Sequence, residues 1–114
     1  MNKVEALNKQ ISQIQEEQLA ISKSFTEIDN EEIELVEIMK RNRRLFDQLK
    51  YSWHKDRELS ETFDNNKNEL DYYTSKISEI IYQKRVELLK KKKTLHLSEE
   101  DLMYQRRLLH MEGK

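Results

Sequence analysis

Residues 4–53 read VEALNKQISQIQEEQLAISKSFTEIDNEEIELVEIMKRNRRLFDQLKYSW, and this stretch determines the fold class. With Val4 as position a of a heptad, the a and d positions are Val4, Leu7, Ile11, Ile14, Gln18, Ile21, Phe25, Ile28, Glu32, Leu35, Met39, Asn42, Phe46, Leu49 and Trp53. Twelve of these fifteen are apolar, and the 3-4 spacing never slips. A helix keeps such a seam against a neighbour by supercoiling around it. Gln18, Glu32 and Asn42 interrupt the seam. Each either fixes register and partner choice or sits where the seam is open to water. Asn2 followed by Glu5 makes a capping box, so the spacing predicts a helix over residues 3–52.

Composition agrees. Of the 114 residues, 38% are charged and 36% hydrophobic, with no Pro and a single Gly, Gly113. A β-rich fold would need turn glycines and prolines that are absent. The remaining class is all-α, with long helices around a thin apolar seam. No Cys is present, so disulfides and thiolate sites are excluded. No apolar run approaches the roughly 18 residues of a membrane span. The N-terminus lacks the apolar core of a signal peptide, which implies a cytoplasmic location. A net charge of −1 provides no global attraction to nucleic acid or anionic lipid.

The second half is helical with a less regular pattern. Leu59, Phe63, Leu70, Tyr73, Ile77 and Ile80 follow 3-4 spacing, with Asn66 in the missing slot, and are expected to face the first helix. A second stripe, Ile81, Leu88, Leu95, Leu102 and Leu109, repeats every seven residues. The expected turn is 53–57, where the first seam ends at Trp53 and His54, Lys55, Asp56 and Arg57 follow. A second helix is expected over 58–93. Ser98 with Asp101 makes another capping box, so residues 98–112 form either a short third helix or a continuation. The whole is one antiparallel helical-hairpin domain over residues 1–114. Charge favours that pairing. Residues 27–37 carry six acids and no base, whereas residues 84–93 carry six bases against Glu87 alone.

Catalytic chemistry finds no foothold in the sequence. One Gly makes a phosphate-binding loop impossible. His54, His96 and His110 have no His or Cys at ligand spacing, so no metal site is expected. Paired carboxylates such as Glu16 and Glu17 have no pocket to perturb them. No cofactor is implied. Lys90, Lys91, Lys92 and Lys93 point around a helix and lack interleaved aromatics, which argues against nucleic-acid binding.

What remains is surplus apolar surface. A hairpin buries one stripe per helix, yet Ile33, Val36, Ile38 and Leu45 lie off the first seam, and the second helix carries the stripe through Leu88, Leu95, Leu102 and Leu109. Leaving these wet costs several kcal/mol at about 25 cal/mol per Å², so a helical partner is expected to cover them. Arg43, Arg44, Arg106 and Arg107 would orient that partner. Trp53 is either a plug on Leu49 and Leu59 or an exposed anchor.

Two blocks carry a family resemblance. The first runs through Arg41, Asn42, Arg43, Arg44, Leu45 and Phe46 to Trp53, His54, Lys55, Asp56, Arg57 and Glu58. The second runs from Glu100 through Tyr104, Arg106 and Arg107 to Leu109. Together they resemble small helical accessory proteins encoded beside LXG-domain toxins of type VIIb secretion systems. The resemblance implies a non-enzymatic chaperone that binds the helical LXG domain with a second small WXG100-like protein and targets the toxin for secretion, possible co-export included. Lys55 stands in place of the WXG100 glycine, and Tyr104 is followed four residues on by Leu108 rather than an acid. A partner is therefore expected to carry the export signal. A homodimer through the first heptad is the alternative, and a nucleic-acid-associated role through residues 84–93 is a third reading.

Overall fold

A computed structural model of the chain describes residues 2–113. Two helices account for nearly all of it: α1, Lys3–Ser52, and α2, Arg57–Glu112. They pack against each other as a helical hairpin, and no strand occurs among the described residues.

Each helix starts on a cap. The Asn2 side-chain carbonyl accepts from the Glu5 backbone N–H at 2.7 Å. Asp56 does the same for Leu59 at 3.1 Å, while its own carbonyl accepts from Ser60 N–H. The link is short. Trp53 N–H closes the last turn of α1 on the Leu49 carbonyl, and the Trp53 carbonyl accepts from Asp56 N–H. The side chain of Asp56 thus caps the N-terminus of α2, a position that Asp favours. α2 runs unbroken through Ser98, so residues 98–112 continue it rather than forming a third helix. Asp101 there accepts from the Gln105 amide instead of capping a new start.

The chain divides into two compact units along the hairpin. The turn unit is Ile28–Lys84. The terminal unit joins the part of α1 up to Glu27 to the part of α2 from Arg85.

In the terminal unit the α1 heptad faces α2: Ile11 is buried, and Val4, Leu7, Ile14, Gln18, Ile21 and Phe25 are half-buried. The α2 side of this seam is Leu88, Leu95, Leu102 and Leu109, all half-buried. In the turn unit α1 contributes Ile28 and Leu35, both buried, with Asn42, Phe46 and Leu49 half-buried. Opposite them α2 presents Ile81, buried, and then Thr74, Lys67, Asp64, Phe63, Ser60 and Leu59, half-buried, so that Leu59 and Phe63 of the expected stripe are partly covered. Leu70, Tyr73, Ile77 and Ile80, expected on the inside, are exposed. The reason is continuity. A helix without a break cannot exchange its facing stripe, so the row fixed by Leu109, Leu102, Leu95, Leu88 and Ile81 extends back at sevens into Thr74, Lys67 and Ser60.

Candidate protein-docking surface

The ion pair between Lys84 Nζ and Glu31 Oε2, at 3.7 Å, sets the register of the turn unit. In an antiparallel pair, residues seven and fourteen further along α1 fall opposite residues seven and fourteen back along α2. Those residues are Ile38 and Leu45 on α1, and Ile77 and Leu70 on α2. All four therefore lie on one flank of the unit. They are exposed to 50%, 51%, 46% and 38% respectively. Tyr73 and Ile80, each three residues beyond Leu70 and Ile77, widen the patch on the same side of α2 and are also exposed. An apolar flank drawn from two helices and left in water is the strongest recognition feature of the unit.

Beneath it the seam is open. Met39, Asn42, Phe46, Lys67, Leu70 and Thr74 line a shallow depression between the helices. Asn42, one of the three polar seam residues, lies in this water-accessible stretch, and Glu32 is exposed. Lys50 Nζ pairs with Asp64 at 3.1 Å nearer the turn. Such exposed pairs are worth about 0.2–1 kcal/mol each and select orientation more than they stabilise.

The other anticipated contact residues fall in different places. Ile33 and Val36 are exposed on α1. Leu88, Leu95, Leu102 and Leu109 are corrected: they form the inner seam, Leu95 beside Ile21 and Leu109 beside Leu7. They are not a free outer stripe, because their heptad row is the one that packs on α1. Arg43 borders the depression of the turn unit and Arg44 is exposed. Arg106 and Arg107 come together in one cleft with Val4, Asn8, Met103 and His110. Arg106 Nη1 donates to Asn8 Oδ1 at 2.8 Å, joining the two helices of the terminal unit. Trp53 is half-exposed in the turn rather than plugging it.

The basic block is partly occupied by its own chain: Lys84 holds Glu31, and Lys92 Nζ stands 6.0 Å from the centre of the Phe25 ring. Among the described residues no polar or charged side chain is buried, and no cluster of His, Asp or Glu is placed to hold a metal ion. No described helix is long and apolar enough to cross a membrane.

Local spacing alone does not reveal the outward position of Leu70, Tyr73, Ile77 and Ile80, because it is as good as that of the true seam. The signal that identifies them is the longer row at sevens, which runs through Ile81 into polar Thr74 and Lys67.

A family model described as protein of unknown function (DUF3958) matches residues 2–109, and the chain belongs to that family. No curated protein and no solved structure matches it.

Proposed function

We propose that this DUF3958 protein is a non-enzymatic accessory that binds the helical LXG domain of a cognate toxin, together with a second small WXG100-like helical protein, and helps to target it to a type VIIb secretion system. The observation that carries the reading is the exposed flank of Ile38, Leu45, Leu70 and Ile77. Covering four half-exposed aliphatic side chains is worth on the order of a few kcal/mol at about 25 cal/mol per Å². A helix laid against two others completes a bundle core of the kind a lone hairpin lacks. The resemblance in residues 41–58 and 100–109 names the partner class.

On this reading the protein acts first in the cytoplasm as a binding subunit, and its partner presents the export signal. The first heptad of α1 is engaged with α2 inside the chain, so a homodimer would have to use the outer flank.

The test is co-expression with the LXG domain of the toxin encoded beside it. The wild-type chain should co-purify with that domain. The double substitution Leu45→Asp and Ile77→Asp should abolish co-purification while leaving the far-ultraviolet helical signal intact, because both positions are exposed. Undiminished co-purification by the double variant, or none by the wild type, refutes the proposal.

A further inference from the structure

The terminal unit has two clefts along one flank, and they are the same cleft twice. The first is floored by Ala6 and Leu7 of α1 with Leu108 and Leu109 of α2. The second is floored by Ala20 and Ile21 with Thr94 and Leu95. Every floor position of the second lies fourteen residues from its counterpart, forward along α1 and back along α2. Two heptads separate them, roughly 21 Å at 1.5 Å per residue. The alanines make the recesses, since their neighbours at the same heptad position are larger. At the floor positions of the intervening heptad the seam stays apolar with Ile14 and Leu102, but Gln13 and Asp101 stand where the clefts have Ala6 or Ala20 and Leu108 or Thr94.

The rims carry charge, and its sign reverses. At the first cleft Lys3 is on the α1 rim and Glu112 on the α2 rim. At the second, Glu17 is on the α1 rim, and Lys90 and Lys91 are on the α2 rim. None of these five makes an ion pair with another described residue. Flanking charges of this sort select a partner helix in bundles.

We infer that this groove seats one α-helix of a separate chain, bearing large aliphatic side chains fourteen residues apart and an uncharged polar residue midway. Beside the first of these knobs the helix carries an acid toward α1 and a base toward α2, and beside the second the reverse. The inference rests on the partner-binding reading above and adds to it a seat in the terminal unit for a helix of that kind. A helix fits because a groove between two paired helices is completed by a third, whose side chains return to one face every seven residues. The chain's apolar flank in the turn unit does not fit, since Ile38 and Leu45 are seven apart and one of them would land on the layer of Gln13 and Asp101. The exposed row Leu19, Thr26 and Ile33 of α1 has the right spacing, which makes a second copy the rival occupant. That contact is heterologous: it leaves a groove and a row open at each step, so it must close into a ring or keep growing. A separate chain fills the groove and stops.

The test uses the full chain and a labelled 22-residue helical peptide with two leucines fourteen apart, Gln between them, and Glu and Lys placed to oppose Lys3, Glu112, Glu17 and Lys91. Fluorescence anisotropy should show binding at least tenfold tighter than that of a peptide of identical composition with its leucines eleven apart. Filling the clefts with Ala6→Trp and Ala20→Trp, both at exposed positions, should weaken it at least tenfold without lowering the melting temperature. Should the tryptophan variant fail to fold, Lys3→Glu with Glu112→Lys should lose the peptide and regain it when the opposing peptide charges are exchanged. Equal binding of the two spacings, or no response to either variant, overturns the assignment. So does concentration-dependent growth of the chain alone that Ala20→Trp abolishes, which would give the groove to a second copy. The two proposals fail separately. A peptide bound without regard to leucine spacing, while the LXG domain still co-purifies with the wild-type chain, overturns the groove and leaves the function. A peptide bound with the expected spacing, when no LXG domain is retained, supports the groove and removes the function.

Discussion

Ile77 and Ile81 stand four residues apart on α2 and meet opposite environments: Ile81 is 6% exposed on the seam, and Ile77 is on the outer flank. Truncating a buried isoleucine removes transfer energy and leaves a cavity, at a cost of about 2–5 kcal/mol. Truncating one already half in water removes little. Ile81→Ala should therefore lower the denaturant midpoint by about 2–5 kcal/mol equivalent, and Ile77→Ala by less than about 1 kcal/mol. Chemical denaturation followed by circular dichroism measures both. A reversed order would mean that α2 faces α1 with the other stripe. The same pair of residues shows how limited local periodicity is as a guide, because each belongs to a well-spaced apolar row and only the partner helix distinguishes them.

At the scale of the elements, α1 was legible almost in full. Its heptad is apolar at twelve of fifteen positions, and Asn2 announces its start. The turn was placed to within a residue or two because the first seam runs out at Trp53. Asp56 was not identified as the cap, although an Asp just before a helical run is a recognised start signal. α2 was harder. Thr94 through Asp101 looks like a joint, yet helical hydrogen bonding continues through it. Ser98 and Asp101 have capping-box spacing, but nothing nearby stops the preceding helix, since no Gly or Pro is present. This yields a test with a defined sign. In mid-helix, Ser98→Ala replaces a weaker helix former and should stabilise by a few tenths of a kcal/mol. At an N-cap it would cost about 1 kcal/mol. A drop in melting temperature of several degrees for Ser98→Ala would show that a new helix starts there.

Taken as a whole, the hairpin distributes its apolar residues unequally. The terminal unit lines the α2 side of its seam with Leu88, Leu95, Leu102 and Leu109. The turn unit lines its own mainly with Thr74, Lys67 and Ser60 beyond Ile81, with Phe63 and Leu59 half-buried nearest the turn, while Leu70, Tyr73, Ile77 and Ile80 face outward. Residues 60–80 of α2 are therefore less covered than residues 85–109. In the free chain, amides of residues 60–80 should exchange with deuterium faster than those of residues 85–109. Adding the LXG domain should slow residues 60–80 more than any other stretch of α2. Uniform exchange along α2, unaltered by the LXG domain, would contradict this.

The polar inner face at Thr74, Lys67 and Ser60 bears on the life of the protein in the cell. A chain whose less covered stretch of α2 also carries the exposed Leu70, Tyr73, Ile77 and Ile80 is expected to be cut by proteases there first, because local opening sets the rate of cleavage. On the proposed function, capture by the companion would remove that vulnerability. Synthesis in excess of the companion would then be trimmed by degradation, and the two would hold a fixed ratio without any dedicated regulator.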